Sequence, residues 1–266
     1  MAQEKWLVDG PKVIDVEQVR TLKVGLIRGQ VNIVGHDEPT TRVEVHSVRG
    51  KELKVSIDGD TLEIDHPQLR WDDFIEVFAS FRGTASADVS ILVPREVRLK
   101  FGVVSAASLI SGLTEDAKIS AVSGDLVIDG MRGDLELNTV SGEISVRDHY
   151  GEIAANTVSG DITASGEITK LAVDSVSGSV FLDLKGIPDQ VKVNTVSGAV
   201  TSRLENEVPV RYRIHTVGGK LQLDDSSFSG VRGAFTSTYG TLDKRWLDFS
   251  ANTVSGDVSV LHTVDA

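Results

Sequence analysis

The chain has 266 residues, is 40% hydrophobic and 25% charged, and carries a net charge of −12. That balance suits a folded protein rather than a disordered one, and the absence of cysteine excludes a disulfide framework and any thiolate metal site. The acid excess is spread, −5 over residues 1–94 and −7 over the remainder, so no basic face is offered and no nucleic-acid partner is expected.

Residues 1–66 read as an N-terminal β region without a strict repeat. Met1 to Trp6 lacks a charged stretch followed by an apolar one, and apolar runs throughout are only a few residues long. Neither a secretion signal nor a transmembrane segment is expected, which places the chain in the cytoplasm. Alternation marks strands at Val13–Val16, Leu22–Leu26, Val31–Val34, Arg42–His46, Leu53–Ile57 and Leu62–Ile64. Gly35, Gly50 and Pro67 are turn signals, and Asp58-Gly59-Asp60 is a hairpin signal. Leu26 to Gly35 resembles a degenerate copy of the repeat described below, so this region is either a cap or the first coils.

Residues 67–88 interrupt the pattern. Trp71, Phe74, Phe78 and Phe81 concentrate four aromatics in a chain where aromatics make up 5%. Their spacing suits a short amphipathic helix, although Phe74 to Phe78 also suits a strand. They form either an apolar lid or a contact for a protein partner or a membrane surface.

From residue 89 to 266 the sequence is repetitive. Val-Ser-Gly recurs at 122–124, 140–142, 158–160, 176–178, 196–198 and 254–256, and Val217-Gly218-Gly219 is a degenerate copy. The glycines at 124, 142, 160, 178, 198, 219, 240 and 256 are 18, 18, 18, 20, 21, 21 and 16 residues apart. Each unit has two short alternating runs, such as Leu135/Leu137 and Ile144/Val146, around a glycine corner. No helical pattern separates them. An all-β fold follows, a parallel β-solenoid of about 18-residue coils whose neighbours lie about 4.8 Å apart.

Stacking turns each recurring residue into a column. Asn138, Asn156, Asn194 and Asn252, with Asp174 and His215 as variants, form a column read as a structural hydrogen-bonded ladder, the alternative being contacts to an extended ligand. Thr139, Thr157, Ser175, Thr195, Thr216 and Thr253 form a second column, and the valines of the tripeptide a third, read as core. The last unit, Asn252 to Leu261, is as regular as an internal coil and lies close to the chain's end. It is expected to form an uncapped solenoid end that stacks on a protein partner or on a second copy.

Asn-Thr-Val-Ser-Gly-Asp/Glu in several copies, preceded by Val-Ser-Ile-Leu-Val-Pro at 89–94, resembles the adhesin-labelled β-strand-repeat family grouped with the toastrack domains. The resemblance implies a right-handed solenoid and no catalytic residues. It also implies kinship with components of bacterial envelope-stress systems of the Lia and phage-shock type.

The residues offer little chemistry. Acids follow the corner glycine at Asp125, Glu143, Asp161 and Asp257, one per coil, which is too few for calcium cages. Histidines 36, 46, 66, 149, 215 and 262 show no ligand spacing, and neither a nucleophile elbow nor a phosphate loop is present. No enzyme and no cofactor are expected. The reading is a non-enzymatic interaction scaffold, with the link to envelope-stress signalling that the resemblance implies, and an adhesin-like module for glycan, peptide or lipid headgroup as the alternative.

Overall fold

The computed structural model describes residues 4–66, 85–229 and 232–263. Among them every regular element is a β-strand, and no helix is long and apolar enough to cross a membrane. Trp71, Phe74, Phe78 and Phe81 lie outside the described residues. The strands form two compact units, residues 1–134 and 135–266.

The first unit is organised by two long strands, β3 (Thr21–His36) and β8 (Arg98–Ser111), parallel to each other from Thr21↔Arg98 to Val34↔Ser111. The segments Leu22–Leu26 and Val31–Val34, expected as two strands, are halves of β3, and Gly35 lies inside it rather than in a turn. The first half of β3 pairs in parallel with β6 (Thr61–Asp65), which continues through antiparallel β5 (Leu53–Asp58) to β1 (Glu4–Val8). The second half pairs in parallel with β7 (Ser86–Pro94), then antiparallel β4 (Thr40–Arg49) and β2 (Lys12–Glu17). On its far side β8 carries β9 (Ala117–Ser123) and β10 (Leu126–Asp129), both parallel. The β5–β6 connection is the expected hairpin, with Asp58 opposite Thr61 and Gly59 at φ 63°. Alternation directs Leu22, Val24, Val31, Ile33, Leu62, Ile64, Val89 and Ile91 inward, each at most 1% exposed.

In the second unit each repeat contributes one strand on either side of its glycine corner, and the two sets form two ladders. The first joins β11 (Leu135–Thr139), the later half of β12 (Ile144–Ser159), the later half of β13 (Ile162–Ser177) and β15 (Gln190–Ser197), all parallel. The second joins the early halves of β12 and β13 to β14 (Val180–Leu184) and β16 (Val200–Leu204). Identical sequence positions face each other, as in Leu137↔Ala155 and Val173↔Val193. The inward side chains therefore stack into continuous apolar columns, each buried leucine or valine contributing about 2 kcal/mol of transfer free energy.

Beyond Leu204 the rungs leave chain order. The rung next to β15 and β16 is the last one, β21 (Leu247–Ser255) with β22 (Val258–His262). On its other side lie the earlier strands β17 (Val210–Gly218) and β18 (Lys220–Leu223). Those in turn are covered by antiparallel β20 (Gly233–Tyr239) and β19 (Ser226–Ser229). The expectation that Asn252 to Leu261 forms an uncapped end is thus corrected: both edges of β21 are paired. The regularity of this repeat reflects its interior place, since it must match a neighbour on each side.

Candidate binding surface

The corner carries the sequence signature, and its geometry fixes what the surface shows. Leu135, Leu137 and Thr139 alternate inward, so Asn138 and Val140 point outward. The same phase holds on every rung. Thr139, Thr157, Ser175, Thr195, Thr216 and Thr253 are buried, whereas Val140, Val158, Val176, Val196, Val217 and Val254 are exposed by 40% to 57%; Val122, in the first unit, is half-buried. The reading of these valines as core is therefore corrected. Two adjacent β-branched residues in Thr-Val cannot share one face of a strand, and the period of two gives the core to threonine.

In spatial order the exposed column runs Val140, Val158, Val176, Val196, Val254, Val217. Beside it runs the asparagine column. Asn156 Nδ2 donates to Asn138 Oδ1 at 2.9 Å, Asn194 Nδ2 to Asp174 Oδ1 at 2.7 Å and Asn252 Nδ2 to Asn194 Oδ1 at 2.7 Å. Asn138 Nδ2 donates to Glu136 Oε1 at 3.0 Å, so the face couples an apolar stripe to a row of hydrogen-bonding polar side chains.

The corner glycines let the rungs approach. A Cβ on Gly160 would lie 2.2 Å from Gly142 O, on Gly178 2.2 Å from Gly160 O, on Gly198 2.1 Å from Gly178 O and on Gly256 2.1 Å from Gly198 O. A side chain there would push the ladders apart. Around the inserted rung, Gly198, Ala199, Gly218, Gly219, Ser255, Gly256 and Asp257 line a shallow depression of about 350 Å³. Two of the acids after the corner are engaged by backbone: Asp161 Oδ1 accepts from Ser179 N–H, and Asp257 Oδ1 from Lys220 N–H, both at 2.7 Å. Among the described residues no cluster of three or more histidine or acidic side chains could hold a metal ion.

At the other end of the same strands an ionic cluster ties β17 to β21. Arg211 makes two hydrogen bonds to Asp248, at 2.5 and 2.7 Å, and its guanidinium lies 5.5 Å from the Trp246 ring centroid. Those bonds hold the Asp248 carboxyl below the usual carboxylate range. Below, His262 sits with Nδ1 3.0 Å from both Asp224 carboxylate oxygens, Nε2 3.0 Å from Val208 O, and its ring stacked on Tyr239 at 3.9 Å. Sequence reasoning missed both clusters because their members come from separate rungs brought together out of chain order.

Solved structures of similar extent include a "putative adhesin" from Parabacteroides distasonis (14% identity, 98% of this chain and 97% of that one, TM-score 0.44). A "putative lipid binding protein" from the same organism (13%, 96% and 97%, 0.43) is another. A third is a "putative cell adhesion protein" from Clostridium sporogenes (14%, 95% and 100%, 0.34). No curated protein matches the chain. The Toastrack DUF4097 profile matches residues 21–261. This stretch takes in β3 to β22 almost whole, including every Val-Ser-Gly corner, and the chain belongs to the Toastrack DUF4097 family.

Proposed function

We propose that the protein is a non-enzymatic binding module whose working surface is the outward valine and asparagine face of the second unit. The observation that supports this is the exposed valine column, a continuous apolar stripe over six consecutive rungs. Valine suits single outward strand positions by its β-propensity, but an unbroken column of six makes a contiguous apolar surface of the kind a partner covers. The face is periodic: every rung offers an outward valine, and four of the six set an asparagine amide beside it, with Asp174 and His215 in that place on the other two. That suits a macromolecular partner rather than an enclosed small molecule.

In this reading the parallel ladders belong to a right-handed solenoid serving as a rigid scaffold, and the partner is a protein, with a link to envelope-stress signalling as the finer form of the hypothesis. The experiment is cross-linking in native cells with the wild type and with Val176→Lys/Val196→Lys. A partner captured by the wild type and lost from the folded variant supports the reading. Equal capture by both removes the valine face from it. A folded wild type that captures no protein but binds glycan or lipid vesicles, with the variant losing that binding, transfers the face to the adhesin-like alternative.

A further inference from the structure

We propose that the C-terminal repeat, residues 247–262, is an exchangeable strand pair, and that the slot it fills accepts the same repeat from a second copy of the chain. Strand order carries this exchange, whatever the function of the valine face.

The slot is bounded by β15 and β16 on one side and β17 and β18 on the other, and the chain builds both walls before it builds the filling. Residues 210–239 cannot reach the rest of the stack except through this last rung. Until residues 247–262 arrive, two ladder edges stand open, and any strand of the right pattern closes them. The filling hangs on a connector, residues 240–246. Tyr239 and Leu247 both lie opposite Val210, on its two sides, so the connector bridges two strand spacings, about 10 Å. Its seven residues reach about 24 Å when extended. Closure within one chain is therefore unstrained, and exchange with a second chain requires only that this connector open outward.

The seam is also less well satisfied than its neighbours. Thr139 Oγ1 donates to Thr157 Oγ1 at 3.1 Å, but the hydroxyls of Thr195, Thr253 and Thr216, consecutive on the stack, are buried without a partner. The Tyr212 hydroxyl, beside the inserted strand, is in the same condition.

Specificity comes from what the slot demands. It requires glycine at the corner, since a Cβ at 256 would lie 2.1 Å from Gly198 O. It requires an acid opposite Arg211, supplied by Asp248; β13 carries Lys170 at the corresponding position and would meet Arg211 with like charge. It also requires a ring beneath Tyr212, supplied by Phe249, whose centroid lies 6.2 Å away edge-on. Among the first-ladder strands only β21 meets all three demands, so the occupant is the C-terminal repeat, its own or a second copy's.

The chain has no cysteine, so introduced thiols are unique. Val196 and Val254 are exposed and sit side by side across the seam. Differently tagged Val196→Cys and Val254→Cys chains are mixed, unfolded, refolded at high concentration and treated with a short bis-maleimide, with the double variant as the intramolecular control. The expected result is a 196–254 link between chains, at least tenfold above an unrefolded mixture. A second variant lacking residues 241–246 leaves Gly240 alone between Tyr239 and Leu247, a reach of about 7 Å against a span of about 10 Å, and is expected to be a stable dimer with the same link. The proposal is overturned if the mixture yields no interchain link while the double variant links internally, or if the shortened chain folds as a monomer. A 196–196 link within the Val196→Cys population alone also overturns it, because that link reports packing of valine faces rather than exchange.

Discussion

The Asn252 side-chain amide donates to Asn194 Oδ1 at 2.7 Å, across 58 positions of sequence. On the other side of Asn252 stands His215, from a rung that precedes it in the chain. One polar column thus records the out-of-order assembly of the second unit. The same column would have run 138, 156, 174, 194, 215, 252 had the coils simply followed one another. Instead the most regular late repeat occupies the interior, and the least regular one, whose asparagine and corner serine are replaced, lies next to the antiparallel cover.

The close approach of the corners makes a steric prediction. Gly256→Ala places a methyl group 2.1 Å from Gly198 O, with backbone on the facing side and nothing flexible to yield. The expected loss is about 3 kcal/mol or more, read as a fall in the urea midpoint. Gly130→Ala is the comparison: at φ 61° with no atom within 4 Å of the added methyl, it is expected to cost about 1 kcal/mol. Equal costs for the two would show that the stack tolerates wider corners than the geometry allows.

The phase of the strands makes a second. Val176→Ser and Val196→Ser, on the outer face, should each change stability by less than about 0.5 kcal/mol. Leu182→Ala, fully buried on the second ladder, should cost about 3 kcal/mol. Thermal unfolding of the three variants distinguishes the outward valine column from a core one, which would give all three comparable losses.

That phase was already written in the sequence. Leu135 and Leu137 set a parity that places Thr139 inside and Val140 outside; hydrophobicity alone points the other way, and the parity prevails because a pleated strand has no third option. The N-terminal strands and the Asp58-Gly59-Asp60 hairpin were legible because their alternation and turn chemistry are local. The position of β21 was not, because pairing partners 58 residues apart leave no local trace. The available hint was indirect: the repeat decays between Val217 and Asn252, where the chain forms β19 and β20, and returns in full at the rung with two neighbours to match.

A third prediction concerns acid. His66 is 0% exposed, its Nδ1 accepts the Ile27 N–H at 3.4 Å, and burial lowers its pKa from 6.5 to about 4, with Lys51 adding to the effect. Between pH 6.5 and 4 the unfolded chain binds a proton that the folded chain does not, so stability falls as the pH drops through that window, by at most about 3 kcal/mol. Asp65 next to it acts in the opposite sense, since burial raises its pKa and the folded state takes up that proton early. The measurement is therefore a comparison: the difference in unfolding free energy between wild type and His66→Gln should shrink as the pH falls from 7 to 4. A difference independent of pH would mean that the imidazole is protonated in place.

The last prediction tests the seam itself. Tyr212 is 2% exposed, burial raises its phenol pKa, and its hydroxyl has no partner in the fold. Its ring, by contrast, supports Phe249 of the inserted strand. Ring and hydroxyl thus contribute with opposite signs. Tyr212→Phe keeps the packing and removes a desolvated polar group, so it is expected to leave stability unchanged or raise it by about 1 kcal/mol. Phe249→Ala removes the packing and should cost about 4 kcal/mol. If Tyr212→Phe instead destabilises by more than about 1 kcal/mol, the hydroxyl is satisfied in solution, and the seam then rests on the three threonines alone as its unsatisfied groups.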